Sequence, residues 1–156
     1  MPPEFLTRTG YRKLEEELEY LRTVKRKEVA ERLHEAAESS LGEFVEDPEF
    51  EAAKNEQSFV EGRIRELELL LANAKVITKS RKKNGLVEIG STVVIQEGRR
   101  KPEEYLIVGA AEANPREGKI SHQSPLGRAL MGAKEGDKVE VKAPSGAFTV
   151  RIVEVK

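Results

Sequence analysis

Residues 38–51 read Glu38-Ser39-Ser40-Leu41-Gly42-Glu43-Phe44-Val45-Glu46-Asp47-Pro48-Glu49-Phe50-Glu51, with six carboxylates and no basic residue. This stretch decides the fold because it separates two segments of helical period. Asp47-Pro48-Glu49 is a helix start: the Asp47 carboxylate can accept a backbone N–H, while Pro48 has a preset φ and needs no donor. Upstream, after Thr7 as N-cap, Tyr11, Leu14, Leu18 and Leu21 alternate steps of three and four, and the pattern runs on less regularly through Val24, Val29, Leu33 and Ala36. Downstream, Ala53, Gln57, Val60, Ile64, Leu67, Leu71 and Ala74 repeat the steps. Two such arms around a short acidic turn predict an antiparallel coiled-coil hairpin, roughly 40 to 45 Å long at about 1.5 Å per residue. Ala36, Ala37, Ala52 and Ala53 near the turn predict a slim tip.

Outward from the hairpin, Lys79-Ser80-Arg81-Lys82-Lys83-Asn84-Gly85 ends the helical period with a polar basic run. It reads as a solvated linker or as a nucleic-acid contact. Beyond it the period becomes twofold, with Val93 and Ile95, Tyr105 and Ile107, Val139 and Val141, then Phe148, Val150 and Ile152 as strands. Glu97-Gly98 and Pro144-Ser145-Gly146 are turns between them. Ser124-Pro125 opens a short helix that Gly132 closes. The expected fold is α+β: a hairpin over 1–77 with its acidic tip at about 38–51, a hinge over 78–85, and a small antiparallel sheet domain with one short helix over 86–156.

Composition narrows the function classes. The chain has 156 residues, 38% hydrophobic and 35% charged, which suits a rod with wet outer faces better than one compact globule. The absence of cysteine excludes disulfides, thiolate metal sites and a cysteine nucleophile. No apolar run approaches the roughly 20 residues that span a bilayer, so a soluble, cytoplasmic protein with no membrane partner is expected. The net charge of −1 hides an asymmetry: residues 1–77 hold 12 Lys+Arg and 18 Asp+Glu, net −6, and residues 78–156 hold 15 and 10, net +5. Such a dipolar chain suits a partner that must be approached in a set orientation.

The tip acids divide into two groups. Asp47 as a cap, and Glu49 and Glu51 in the first helical turn, are explained by helix-end electrostatics worth about 0.3 to 1 kcal/mol each. Glu38 lies near a helix C-terminus, and Glu43 and Glu46 fall in the loop, where no backbone rule asks for an acid. Two loop carboxylates three positions apart can converge on a hard divalent cation such as Mg²⁺, which keeps its other positions for water and phosphate oxygens. That reading makes the hairpin a donor of ligands to a partner already holding metal; the other reading is a solvated acidic loop. His34 and His122 have no neighbouring ligand at metal spacing. There is no Gly-rich phosphate loop and no local Ser/His/Asp set, so a self-contained enzyme is not expected.

Four blocks in order carry a family resemblance: Leu6-Thr7-x-x-Gly10-x-x-Lys13-Leu14; Ala52-Ala53-Lys54-x-Glu56-Gln57 with Glu61-Gly62-Arg63-Ile64; Ala72-Asn73-Ala74-x-Val76-Ile77; and Ser124-Pro125-Leu126-Gly127-Arg128-Ala129-Leu130-Met131-Gly132 with Gly136-Asp137. Over nearly its whole length the chain resembles the bacterial Gre transcript-cleavage factors, nearest to their GreA branch. The resemblance implies a hairpin that enters the secondary channel of RNA polymerase and an FKBP-like C-terminal domain that docks at the channel entrance, with the factor acting as a monomer. It implies an accessory factor, with hydrolysis of backtracked RNA carried out in the polymerase active site. No cofactor is expected on the chain alone; Mg²⁺ is shared with the polymerase, and Mn²⁺ accepts the same oxygen ligands.

The family's tip reads Asp-Leu-x-Glu-Asn-Ala-Glu-Tyr, and its first Asp and the Glu three positions on are thought to help hold the second Mg²⁺. Matched residue by residue, those positions are Glu43 and Glu46, supported by Asp47 and Glu49; the Ser124, Pro125 and Leu126 turn is the expected polymerase contact. Here glutamate replaces the leading aspartate, Ser39-Ser40-Leu41-Gly42 lengthens the turn by about two residues, and Ala37 and Val45 stand where basic residues can occur, although Lys54 remains. Some Gre homologues occupy the channel without cleaving and inhibit the polymerase, which is the alternative reading. An acidic coiled-coil adaptor unrelated to polymerase is a third. Prolyl isomerase activity is not expected, because the FKBP-like half offers only Tyr105 and Phe148 as aromatics for such a pocket.

Overall fold

A computed structural model describes residues 3–39, 47–78 and 85–156. The expected hinge falls almost wholly outside the described residues. The chain divides into two compact units, one of residues Tyr11–Asn73 and the other of Met1–Gly10 with Ala74–Lys156.

The helical unit contains α1 (Arg8–Tyr20) from Tyr11 onward, a π-helical turn (Leu21–Lys25), α2 (Arg26–Ser39) and α3 (Pro48–Ala72). Its core is Leu18, Leu21, Val29, Val60, Ile64 and Leu67, with Leu14 and Leu71 packed against it. Two expected seam residues lie outside that seam: Val24 is 41% exposed and Gln57 is exposed, while Lys25 and Glu56 are half-buried in their place. The cause is legible in the spacing. A regular heptad after Leu21 would bring Glu28 and Arg32 inward, but the apolar residues are Val29 and Leu33, one position late. The π-turn absorbs the extra residue, with the Arg26 N–H donating to the Leu21 carbonyl, five residues back.

Cross-arm ion pairs show the arms to be antiparallel: Arg22 to Glu68 at 2.6 Å, Arg26 to Glu61 at 2.8 Å, and Lys25 to Glu56 at 3.0 Å, with Arg32 also on Glu56. Near the turn, Ala36 and Ala53 are buried as expected, whereas Ala37 and Ala52 are exposed.

The second unit holds a five-stranded sheet in the order β5-β4-β3-β7-β6, formed by β3 (Thr92–Gln96), β4 (Glu103–Val108), β5 (Lys119–Ser121), β6 (Lys138–Ala143) and β7 (Gly146–Val155). All four expected strands are present. The sheet is not wholly antiparallel, however: β5, too short to show a period, pairs parallel with β4. α4 (Pro125–Leu130) packs Leu130 into a core of Val87, Val93, Ile95, Ile107, Ile120, Val141, Val150 and Ile152.

The expected hairpin boundaries of 1–77 also need correction. β1 (Glu4–Leu6) and β2 (Ala74–Val76) form a two-stranded parallel sheet, and both are grouped with the sheet unit. Leu6 is fully buried, the Phe5 ring meets His122 edge-on at 5.6 Å, and the Phe5 carbonyl lies where a Cβ on Gly109 would sit, 2.0 Å away. Only glycine at 109 admits this close backbone approach. The arms therefore end at α1 and α3, and Ala74, expected on the helical seam, is in a strand.

Candidate functional site

Each tip acid within the described residues is already committed. Asp47 is the N-cap of α3: its side chain accepts the Glu49 N–H at 3.0 Å, its carbonyl accepts the Glu51 N–H at 3.0 Å, and Pro48 follows at the first helical position. Glu49 and Glu51 lie exposed in the first turn, where the helix dipole favours them. Glu38 pairs with His34 at 3.1 Å, one turn back on α2. Glu43 and Glu46, the expected metal donors, lie outside the described residues. Beside the tip, the Lys54 ammonium sits 4.9 Å from the centre of the Phe50 ring, a cation–π contact that places a positive charge at the start of α3.

The shaft behind the tip is electrostatically braced. Hydrogen bonding to Lys25, with Arg32 close by, holds the Glu56 carboxyl below its ordinary range, and Arg26 does the same for Glu61. Arg63 grips Glu17 across the arms through two hydrogen bonds of 2.8 and 3.1 Å.

The expected docking turn is largely occupied with its own structure. The Ser124 hydroxyl accepts the Gly127 N–H at 3.0 Å and donates to the Ser121 carbonyl at 2.6 Å, so Ser124 is a cap. Leu126 is half-buried against the sheet core, and Pro125 is the exposed member of the three. A Cβ on Gly127 would fall 2.0 Å from the Ser121 carbonyl, which explains the glycine in the motif as tight packing. Tyr105 and Phe148 both pack against the core. The Tyr105 hydroxyl donates to Glu103 at 2.5 Å, a bond that pushes its pKa up to about 12.

One positioning residue had no local signal. Glu112, more than a hundred positions from the first helix in sequence, accepts hydrogen bonds from the Thr7 N–H and the Thr7 hydroxyl, both at 2.6 Å. Thr7 in turn accepts the Gly10 N–H at 3.0 Å, so it is the expected N-cap. In a capping box the residue three positions on supplies the reciprocal carboxylate. Here that residue is Gly10, and Glu112 supplies it instead.

Among the described residues no group of three or more His, Asp or Glu side chains could hold a metal ion, and no helix is long and apolar enough to cross a membrane.

Comparison with known proteins places this arrangement. The transcription elongation factor N-terminal family model matches residues 4–76, and the GreA/GreB C-terminal model matches residues 82–156. The chain is 50% identical to transcription elongation factor GreA of Thermoanaerobacter pseudethanolicus over 155 residues, covering 99% of this chain and 98% of that one. It is 49% identical to GreA of Chloroflexus aurantiacus over the same shares of both. A solved structure, the GreA factor homolog 1 (Gfh1) protein of Thermus thermophilus, is 32% identical over 99% of both chains, with a TM-score of 0.44. With both family models matched in order, and half of the residues shared with relatives of nearly equal length, the chain belongs to the GreA/GreB family of transcription elongation factors.

Proposed function

We propose that this chain stimulates RNA polymerase to cleave its own backtracked RNA, so that an arrested complex resumes from a new 3′ end. The observation that carries the reading is the match of about 50% over the full chain to transcription elongation factors named GreA. The hairpin inserts into the secondary channel and the sheet unit docks at its entrance. The factor is an accessory, and bond breaking stays in the polymerase. It works in the cytoplasm, as a monomer.

The donor set suits Mg²⁺. Asp47 is spent as a cap and Glu38 is paired with His34, which leaves Glu43 and Glu46 as the loop carboxylates for a hard cation. Bound there, the ion would supply Lewis-acid polarisation of water. On the chain's side, Glu43 and Glu46 donate oxygen ligands, Asp47 and Glu49 fix the start of α3 behind them, and Lys54 offers a positive charge to nearby phosphate. The contact at the channel entrance is assigned to the Ser124-Pro125-Leu126 turn, through exposed Pro125, with Ser124 and Leu126 shaping the turn.

The test is a backtracked elongation complex with Mg²⁺, in which release of a short 3′ RNA fragment is measured. The parent chain should release it. Glu43→Ala and Glu46→Ala should each slow release by about two orders of magnitude, the scale on which misplacing a positioned group acts. Unchanged release in both variants would remove the assigned roles. Slowed synthesis without any fragment from the parent chain would favour the inhibitor.

A further inference from the structure

At the far edge of the five-stranded sheet three neighbouring strands place Gln96, Arg151 and Lys138 in one cross-strand row. Arg151 is opposite both Gln96 on β3 and Lys138 on β6. Directly paired residues project from the same face, so the two cations stand side by side, both exposed. Like charges in that position are unfavourable, yet no carboxylate offsets them: among the described residues neither Lys138 nor Arg151 makes an ion pair, and Glu140, next along the same face of β6, makes one with neither. Gln96 holds Arg151 by accepting from its guanidinium at 3.4 Å, and its own amide donates to the Arg100 carbonyl at 2.9 Å. That bond ties the β3–β4 turn to the row; in the turn Arg100 pairs with Glu97 at 3.6 Å, while Arg99 and Lys101 make no ion pair among the described residues. The row borders an open depression of about 400 Å³ that Gly98 and Thr149 help to line.

This corner offers charge, hydroxyl and amide donors, and no aromatic side chain lines the depression. Val150 is the apolar member of the lining and is buried in the core. Without an aromatic anchor the depression therefore lacks what most often concentrates binding energy at protein interfaces, and it has no platform on which a base could stack. Its cations also extend past the depression into the adjoining turn, beyond the reach of one phosphate. We infer that this face of the sheet unit binds the phosphate backbone of a nucleic acid, without reading its sequence. The inference is independent of the tip and of cleavage.

The probe is labelled single-stranded RNA of mixed sequence, with labelled duplex DNA as a second arm, titrated with the full chain by fluorescence anisotropy between about 50 and 200 mM salt. Binding should weaken steeply with salt. Lys138→Gln and Arg151→Gln should each lower affinity severalfold at low salt and flatten the single-strand salt dependence by about 0.7 in log–log slope. Lys119→Gln, on β5 at the opposite edge of the sheet, should change neither. Arg151→Glu, which sets an acid opposite Lys138, should abolish binding while raising Tm, a combination that loss of folding cannot produce. No binding at low salt would overturn the proposal. So would binding unchanged in both glutamine variants, which would move the contact elsewhere on the chain. Polymerase capture that needs Arg151, in the absence of any strand binding, would overturn it in favour of an acidic protein surface.

Discussion

Gly10 shows how one residue can be fixed by another far along the chain. A Cβ at this position would lie 2.1 Å from Glu112 Oε1, so an alanine there must push the carboxylate off Thr7. The lost bonds join a charged acceptor to partly buried donors, worth about 1 to 3 kcal/mol together. Alanine at a helical position also gains up to about 1 kcal/mol over glycine. Gly10→Ala should therefore destabilise the native chain, yet stabilise a Glu112→Ala background in which there is no carboxylate to displace. Urea denaturation of the two single variants and the double variant measures the sign change. Additive effects would mean that the two residues do not share this cap.

At the scale of an element, the π-turn is the device that makes an irregular sequence usable. Val29 stands eight residues after Leu21, where a heptad seam wants seven, and both are buried. Deleting Val24, which is 41% exposed, would restore the seven-residue spacing and remove the need for the π-turn. The variant should keep its helical circular dichroism, with stability within about 1 kcal/mol of the parent, since little apolar burial is lost. Collapse of the helical signal would show that the turn is needed in itself. The same element accounts for the misplaced expectations of Val24 and Gln57: the three-and-four step locates apolar residues well, but it cannot foresee that the shifted frame brings in Lys25 against Glu56. The β-strands were legible where six or more residues alternate, and at β3, whose Val93 and Ile95 stand out. β1, β2 and β5, of three residues each, carry no readable period.

For the whole molecule, the unequal charge of its two halves bears on pH. In the hairpin, Glu56 and Glu61 are held below their ordinary carboxyl range by Lys25 and Arg26. Carboxyls whose folded values are depressed add stability above their unfolded pKa of about 4.3, and lose it as pH falls through the folded values. The Lys25 ammonium, raised chiefly by its bond to Glu56, adds stability below its unfolded value and loses it in strong alkali. The helical signal should therefore unfold at lower urea concentration at about pH 3 than at neutrality, and a Glu56→Gln, Glu61→Gln double variant should show a smaller difference. An equal difference in the variant would assign the acid sensitivity to other carboxylates. These pairs are exposed enough that salt should narrow the gap as well.

The amino-acid sequence by itself determined the two long helices, the capped restart at Asp47, four of the strands, the Ser124 cap and the acidic character of the tip. All of these rest on interactions within a few residues, where periodicity, capping and turn chemistry act. The tertiary structure alone decided that Glu4–Leu6 closes against Ala74–Val76, that Glu112 completes the Thr7 cap, and that Lys138 and Arg151 stand opposite each other with no ion pair to either among the described residues. Each depends on strand register or on contacts between residues distant in sequence, and no local pattern encodes either.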